Sequence, residues 1–511
     1  MYGLIFCEVI AIIIFLRLFL FPIFIYFQDT KKLRRFPSVG FAALTNLWAV
    51  VHQYRHTRTV IIHNAHKRHG DIVRVGPAHV SFSTIQAIKD IYGHGSPATK
   101  DTFYNAFNST HLNVSDSRDR QIHSAKRRRF AQTFAQKSVV ELENMLQPHL
   151  LNMIGYIDAR LAGPGEPRVL DLKFVSLATL YDSNCAALFS QNPRFLERGT
   201  LIAPAETIGG NTYEANLYQG MVQSAYAVVM VGWASQAMKW VKPLTWWHQG
   251  WKGGGEVRDI TIRLLRRRFA EDVERIKLRK RPLNDLVSTL LWDKNGDARC
   301  LEFGEILSES VNLIGATENT EIALTNTIYF LASYPHVTER LREELQRALP
   351  GFKQGVPPYS AIKDVPYLRA CIDESLRLRP SLEAGLPRVI PKGGLYVSGE
   401  WLEEGTTASV STRTIHRDPS IFGERPDEFI PERWLHQDST KMQRGYLAFT
   451  QGGRGCIGRN IAIFEMQLII ATLFWRYDIN VLYPGWELGI KEGLSAHTLE
   501  LPVKVTPRQV Y

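Results

Sequence analysis

The feature that most constrains this chain is the decapeptide Phe449-Thr450-Gln451-Gly452-Gly453-Arg454-Gly455-Cys456-Ile457-Gly458. It runs into an apolar stretch, Asn460 to Tyr477, that reads as a helix. Four glycines within seven residues allow positive φ and let the backbone approach a flat object closely. Loop amides near a helix N-terminus favour negative charge, so the Cys456 thiol is expected to ionise at a lowered pKa. A lone cysteine beside an apolar helix is ordinarily a small buried hydrophobe. The glycine-rich surroundings argue here for a thiolate held by backbone donors. Such a thiolate is what a haem iron needs as a sulfur axial ligand, and its electron donation favours O–O cleavage.

The pattern Phe-x-x-Gly-x-Arg-x-Cys-x-Gly is complete and closely resembles the haem-binding signature of the cytochrome P-450 family. Thr450 stands where that family more often has Ser, Gly, Asn or His. The resemblance implies that Cys456 ligates the iron of haem b, with Phe449 and Arg454 in the same cofactor-binding loop and Arg454 against a haem propionate.

Leu301 to Tyr334 has helical periodicity and stops at Pro335. At 1.5 Å per residue it spans about 50 Å, enough to cross a whole domain. Its centre reads Gly315-Ala316-Thr317-Glu318-Asn319-Thr320. Small residues there admit a flat cofactor or dioxygen, Glu318 can relay protons, and Asn319 and Thr320 can hydrogen-bond oxygen or water. A packing glycine beside a solvated turn is the competing reading of the residues alone. The segment resembles the family's oxygen-activation helix, Ala/Gly-Gly-x-Asp/Glu-Thr-Thr/Ser. Glu318 matches the acid and Thr320 the second hydroxyl. Asn319 falls where the family has its proton-delivery threonine, and an amide does not pass a proton as a hydroxyl does. Oxidative rearrangement, ring expansion, dehydrogenation or isomerisation therefore stay open beside simple hydroxylation.

Glu374 and Arg377 sit at i and i+3 of a helix beginning near Val365. With Arg433, about 20 residues before the Cys456 loop, they resemble the family's structural Glu-Arg-Arg triad. His123 and Arg127 lie in a basic helical turn, at the spacing the family uses to hold a propionate. Arg388 follows a Leu-Pro that resembles the family's next propionate-binding strand. Lys126, Arg128 and Arg129 are expected to face an acidic reductase.

The chain has 511 residues, 45% hydrophobic and 22% charged, which describes a globular protein with a large core. Five scattered cysteines argue against a disulfide framework and fit a reducing compartment. The net charge of +11 is dispersed and lacks an aromatic–basic nucleic-acid motif. An anionic membrane or acidic redox partner accounts for the sign instead. Residues 3–27 are apolar apart from Glu8 and Arg17 and are expected to form a transmembrane anchor. No small-residue cleavage site ends the stretch. Residues 28–40 read as a basic, proline-containing hinge, and the positive-inside bias then puts residues 41–511 in the cytosol. Five tryptophans between Trp233 and Trp251 suit either a second membrane contact or core packing.

The expected fold is mainly α with small β-sheets, a P-450 fold behind an N-terminal transmembrane helix. Strands are expected at Ile72–Val75, His79–Phe82, within Leu395–Ser411 and in the tail from Leu499. The resemblance covers residues 36–511 and is strongest to fungal microsomal enzymes, the benzoate para-hydroxylase group and secondary-metabolite oxidases. It implies a single-pass endoplasmic-reticulum monooxygenase. It would use O2 and NADPH through NADPH–cytochrome P-450 reductase, with cytochrome b5 as a second electron donor, and act on an apolar or aromatic small molecule. A non-catalytic membrane binding protein is the remote alternative.

Overall fold

The computed structural model describes residues 20–107, 110–131, 133–163, 168–234, 238–280, 283–436 and 439–508, with the side chains of 136–141 and 238–240 aside. Most of the expected anchor at 3–27 lies outside them. The described part of that stretch ends in the helix Phe21–Gln28, none of whose residues is buried. Among the described residues no helix is long and apolar enough to cross a membrane.

Helices carry the core. We use α1 for Arg58–His69, α2 for Arg120–Phe130, α3 for Leu172–Phe189, α4 for Leu217–Gly232, α5 for Phe303–Ser333, α6 for Pro366–Leu378 and α7 for Arg459–Arg476. α5 is the expected long helix, about 46 Å from end to end. It runs through the middle of the largest core cluster, packed on α3, α6 and α7. Helix α6 opens on Pro366, whose missing N–H costs nothing in a first turn. Thirteen consecutive residues of α7, Ile463 to Trp475, are buried, so this helix has no solvent face there.

The main sheet has five strands: β1 (Ile72–Gly76), β2 (His79–Phe82), β3 (Thr99–Lys100), β4 (Arg388–Val389) and β5 (Thr407–Val410). Their spatial order is β1-β2-β5-β4-β3. Only the β2–β5 pair is parallel, because residues about 330 apart in sequence meet there without a hairpin. Both faces are buried: Val80 and Phe82 face one core cluster, and Val73 and Val75 face another on the opposite side. A separate hairpin, β6 (Ile490–Glu492) and β7 (Ala496–Thr498), reaches back towards the middle of α5. The expected strands at 72–75, 79–82, within 395–411 and in the tail are present. The strands Arg168–Asp171, Ile202–Glu206 and Thr212–Asn216 were not expected from the sequence. The first is short, half-exposed and paired with the chain terminus 330 residues away, which leaves no local pattern to read.

Candidate active site

The Cys456 loop folds back on itself through hydrogen bonds from Cys456 N to Phe449 O at 2.9 Å and from Gly455 N to Gly452 O at 3.0 Å. Thr450 and Gly452 both take positive φ, +54° and +69°. At Gly452 the need for glycine is also steric, since a Cβ would stand 2.0 Å from the carbonyl oxygen of Tyr92. The loop thereby lies flat against the helix Ile85–Tyr92 and presents Cys456 to a cleft.

The opposite side of that cleft is α5. Ala316, Thr317, Asn319, Thr320 and Ala323 line it together with Cys456 and Phe449, and its free volume is about 190 Å³. Cys456 is exposed to solvent only in the sense that it opens onto this cleft; its Sγ lies deep among protein atoms. Burial pushes the thiol above its ordinary pKa, against the Gly458 and Arg459 amides and the charge of Arg127, which pull it down. The expected lowered pKa is therefore corrected. The amide donors are in place, but desolvation outweighs them in the ligand-free chain. Coordination by a metal is what deprotonates such a thiol.

Asn319 and Thr320 face the cleft as expected. The Asn319 carbonyl accepts from Ser381 Oγ at 2.7 Å and its Oδ1 from Ser495 Oγ at 3.2 Å. The amide side chain is thus fastened to the turn between β6 and β7. Glu318 points elsewhere: it is buried and meets His497 of β7, Oε1 to Nδ1, at 2.9 Å. The contact lacks hydrogen-bond geometry, and among the described residues Glu318 Oε1 and both ring nitrogens have no hydrogen-bond partner. A proton leaving Glu318 has to pass through added water or a side-chain rotation to reach the cleft. On the other flank, Asn184 of α3 donates to Thr317 Oγ1 at 3.1 Å and also reaches Glu465 of α7. Burial raises Glu465 to about 8, so this acid is protonated at neutral pH.

The basic residues gather at one edge. His123, Arg388 and Arg454 line a single pocket with Arg120. Arg127 lies beside it, clamping the Cys456 loop through Nη1 to Gly455 O at 2.7 Å. Arg454 donates to the carbonyls of Ser117 and Arg118 at 2.7 and 2.8 Å, and Arg388 to Tyr104 Oη at 3.0 Å. Among the described residues none of these four arginines has a carboxylate partner. Burial, then Arg454, Lys100, Arg127 and Arg388, drive His123 down to about 3, which keeps it neutral. A cluster of unneutralised cations at the rim of an apolar cleft suits a flat ligand carrying carboxylates.

A family model described as Cytochrome P450 matches residues 40–504 of this chain. The chain belongs to the cytochrome P450 family. Its curated relatives include Benzoate 4-monooxygenase bphA of Aspergillus niger, 28% identical over 491 residues that cover 93% of each chain. Pisatin demethylase of Fusarium vanettenii is 28% identical over 90% of this chain and 86% of its own. Cytochrome P450 monooxygenase ORF9 of Penicillium roqueforti is 28% identical over 88% and 84%. This P450 is a monooxygenase of the haem-dependent, O2-using kind. The residues present fit the haem that the family implies: a cysteine at the mouth of an amide-lined loop, an apolar slot beside it, and unpaired arginines where propionates would lie.

Behind the cysteine loop the expected triad is formed. Arg377 holds Glu374 in a two-toothed pair, both contacts at 2.8 Å, and Arg433 Nε reaches Glu374 Oε1 at 2.9 Å. The i,i+3 pair is fully buried, unlike the exposed ion pair such spacing usually makes. His416, which the sequence did not single out, ties this triad to the loop. Its Nε2 accepts from Leu447 N at 2.8 Å, so Nδ1 carries the proton and donates to Arg377 O at 3.0 Å. Burial holds its pKa at about 3, so the neutral ring is locked in.

Because the folded pKa lies below the free value of 6.5, the unfolded chain takes up a proton that the folded one refuses. Stability is lost as pH falls below about 6.5, by about 2 kcal/mol between pH 7 and pH 5 from this ring alone. A His416→Gln variant is expected to be less stable at pH 7 and to show a flatter decline on acidification. Denaturant midpoints at pH 7 and pH 5 check this; parallel slopes for both proteins would contradict it.

A further expectation is corrected. Lys126 is buried, bound to Glu305 and Glu309 at 2.8 and 3.1 Å, and Arg129 shares Glu305. Lys126 is thus shut away from any partner, and the half-buried Arg129 has its charge shared with an acid of α5, some 180 residues on. Arg128 remains exposed.

Proposed function

We propose that this P450 is a membrane-anchored haem-thiolate monooxygenase that hydroxylates or otherwise oxidises an apolar or aromatic small molecule. O2 is the oxidant, and a reductase supplies electrons from NADPH. The observation that carries the reading is Cys456 at the loop tip, across one apolar cleft from Asn319 and Thr320 of α5. In this reading Cys456 provides the sulfur ligand, Phe449 packs beside it, and Arg388, Arg454, Arg127 and His123 hold the propionates. Haem, when bound, supplies the dioxygen chemistry. Thr320 and the amide of Asn319 orient water at the α5 wall, and Glu318 lies behind it, opposite His497. The neutral Glu465 beside Asn184 and Thr317 is a second buried proton donor.

Asn319 in place of a hydroxyl favours one further reading, an oxidative rearrangement or dehydrogenation in the same site. The names of the relatives Benzoate 4-monooxygenase and Pisatin demethylase support an aromatic substrate. Anchoring in the endoplasmic-reticulum membrane rests on the apolar run at 3–27 and the four cations that follow it, Lys31, Lys32, Arg34 and Arg35. Trp246 and Trp247, 70% and 59% exposed, suit a second contact with the same membrane; Trp233 is instead half-buried against Phe103. The exposed Arg128 belongs to a face on which an acidic reductase would dock. Reduction of the purified protein under carbon monoxide is expected to give an absorption band at about 450 nm, which requires thiolate ligation. Its absence from haem-replete protein would falsify the reading.

A further inference from the structure

The β6–β7 hairpin meets two successive residues at the centre of α5. Ser495, in its turn, bonds Asn319 Oδ1 at 3.2 Å, and His497 of β7 stands 2.9 Å from Glu318, Nδ1 to Oε1. His497 is 3% exposed and Glu318 5%. Both ring nitrogens of His497 and Oε1 of Glu318 lack a hydrogen-bond partner among the described residues. A buried polar atom left unpaired is costly, and three of them belong to this one contact. A small rotation of either side chain turns the contact into a charge-assisted hydrogen bond. The hairpin that carries His497 is tied down on its other side. The Thr59 amide donates to the Glu492 carboxylate at 2.9 and 3.0 Å, and Gln53 Nε2 to Gly493 O at 3.0 Å.

The titratable groups around this pair come from three helices. Next along α5 is Glu321, whose Oε1 accepts from Thr325 at 2.6 Å and whose Oε2 has no hydrogen-bond partner among the described residues. Burial raises Glu321 to about 7, with Lys173 the strongest opposing influence. From α4 come Tyr218 and the ring of Tyr226, the latter 5.1 Å from the His497 ring between centroids. From α3 come Tyr181 and Lys173, whose Nζ donates to Thr498 O. Space beside His497 Nε2 depends on glycine at 493. A Cβ there would stand 3.2 Å from Nε2 and 2.9 Å from Tyr226 Cε1. The amide of Asn319 does not exchange protons, so the α5 wall lacks one such group at that position. His497 supplies one next to the acid.

We propose that His497 is the positioning residue for Glu318, holding its carboxylate and exchanging its proton, so that protons reach the α5 wall from the β6–β7 hairpin. The step moves a proton alone. Glu318, by rotating, gives one to a water held at Thr320 and Asn319. The Nδ1–H of the His497 imidazolium then replaces it on the carboxylate. The neutral ring left behind keeps its hydrogen on Nε2 until solvent returns a proton to it. This inference rests on the monooxygenase reading above.

The test uses the purified haem-loaded chain with His497→Phe, His497→Asn and Glu318→Gln. Phenylalanine keeps a ring and removes both nitrogens; asparagine keeps a donor near Nδ1 that cannot exchange its proton. Denaturant midpoints give the first readout. Glu318→Gln is expected to lower the midpoint in the wild-type background. In His497→Phe, where the carboxylate has lost its partner, the same change is expected to lower it less or to raise it. Equal shifts in both backgrounds would make His497 a packing ring only and overturn the proposal. The second readout is the fate of O2 with NADPH and a P450 reductase, without substrate. Two electrons and two protons give hydrogen peroxide, and four of each give two waters. Both His497 variants are expected to slow water formation about tenfold or more and to release peroxide instead. The pH profile of water formation is expected to change shape in His497→Asn, whereas a ring acting by packing alone would leave it parallel to wild type. An unchanged division between peroxide and water, or parallel profiles, would also overturn the proposal. Should His497→Phe fail to load haem, His497→Leu takes its place in the midpoint comparison. A wild-type protein without the 450 nm band would instead sink the monooxygenase reading while the midpoints still report the pair, so the two failures are distinguishable.

Discussion

Cys456→Ser is expected to abolish the carbon-monoxide band at about 450 nm and to bring turnover to background, while the secondary structure of the chain stays as it was. The change replaces one sulfur by oxygen and leaves every backbone contact of the loop available: Cys456 N to Phe449 O, Gly455 N to Gly452 O, and Arg127 to the Gly455 carbonyl. Gly452 still lies against Tyr92. Structure therefore gives no reason for the loop to collapse, and a lost spectrum reports lost ligation. A serine hydroxyl in this setting keeps its proton, because its intrinsic pKa is already far above that of a thiol and burial of the kind that pushes the Cys456 thiol upward raises it further. Circular dichroism of the variant beside its difference spectrum separates the two effects. Unchanged turnover with an unchanged band would place the ligand elsewhere.

The loop, the long helix and the Glu374–Arg377 pair were legible because each is local, whereas Arg433 entered only through the family resemblance. Glycine spacing, helical periodicity and an i,i+3 pair are properties of neighbouring residues, and the geometry they demand is met. What the sequence did not disclose depends on elements that meet only after folding. Glu318 was expected to serve the cleft directly, but the turn of α5 that brings Asn319 and Thr320 to it carries Glu318 round to His497. Lys126 looked like one cation in a basic run until Glu305 and Glu309 arrived from α5. His416 carries no motif at all. It stands out only through what buries it, a locked tautomer between Leu447 and Arg377. The Cys456 pKa shows the same limit in energetic form. Amide donors are visible in a glycine-rich loop, whereas the desolvation that outweighs them is a property of the packed chain.

Glu374→Gln is expected to cost about 3–5 kcal/mol of stability, the cost of leaving buried charge without its partner. Glu374 and Arg377 are both 0% exposed and Arg433 is 8% exposed, so water cannot make up the loss. Glutamine keeps the shape and a carbonyl oxygen, but it offers one acceptor where Glu374 now serves five donors: Arg377 twice, Arg433, the Trp434 indole and the Ile430 amide. The arginines would remain in place, because Arg377 is also held by the carbonyls of His416 and Pro426 at 2.7 and 2.6 Å. Two buried cations would then face each other across a neutral amide. The damage is expected to spread to the haem loop, since His416 bonds both Arg377 and Leu447 and so transmits any shift of α6 to the segment leading into Cys456. A domain with a stability of about 5–15 kcal/mol loses a large fraction of it this way. The fraction of purified chain showing the 450 nm band should fall together with the denaturant midpoint. A change below about 1 kcal/mol, the scale of an exposed ion pair, would mean that the triad carries no more weight than its spacing alone suggests.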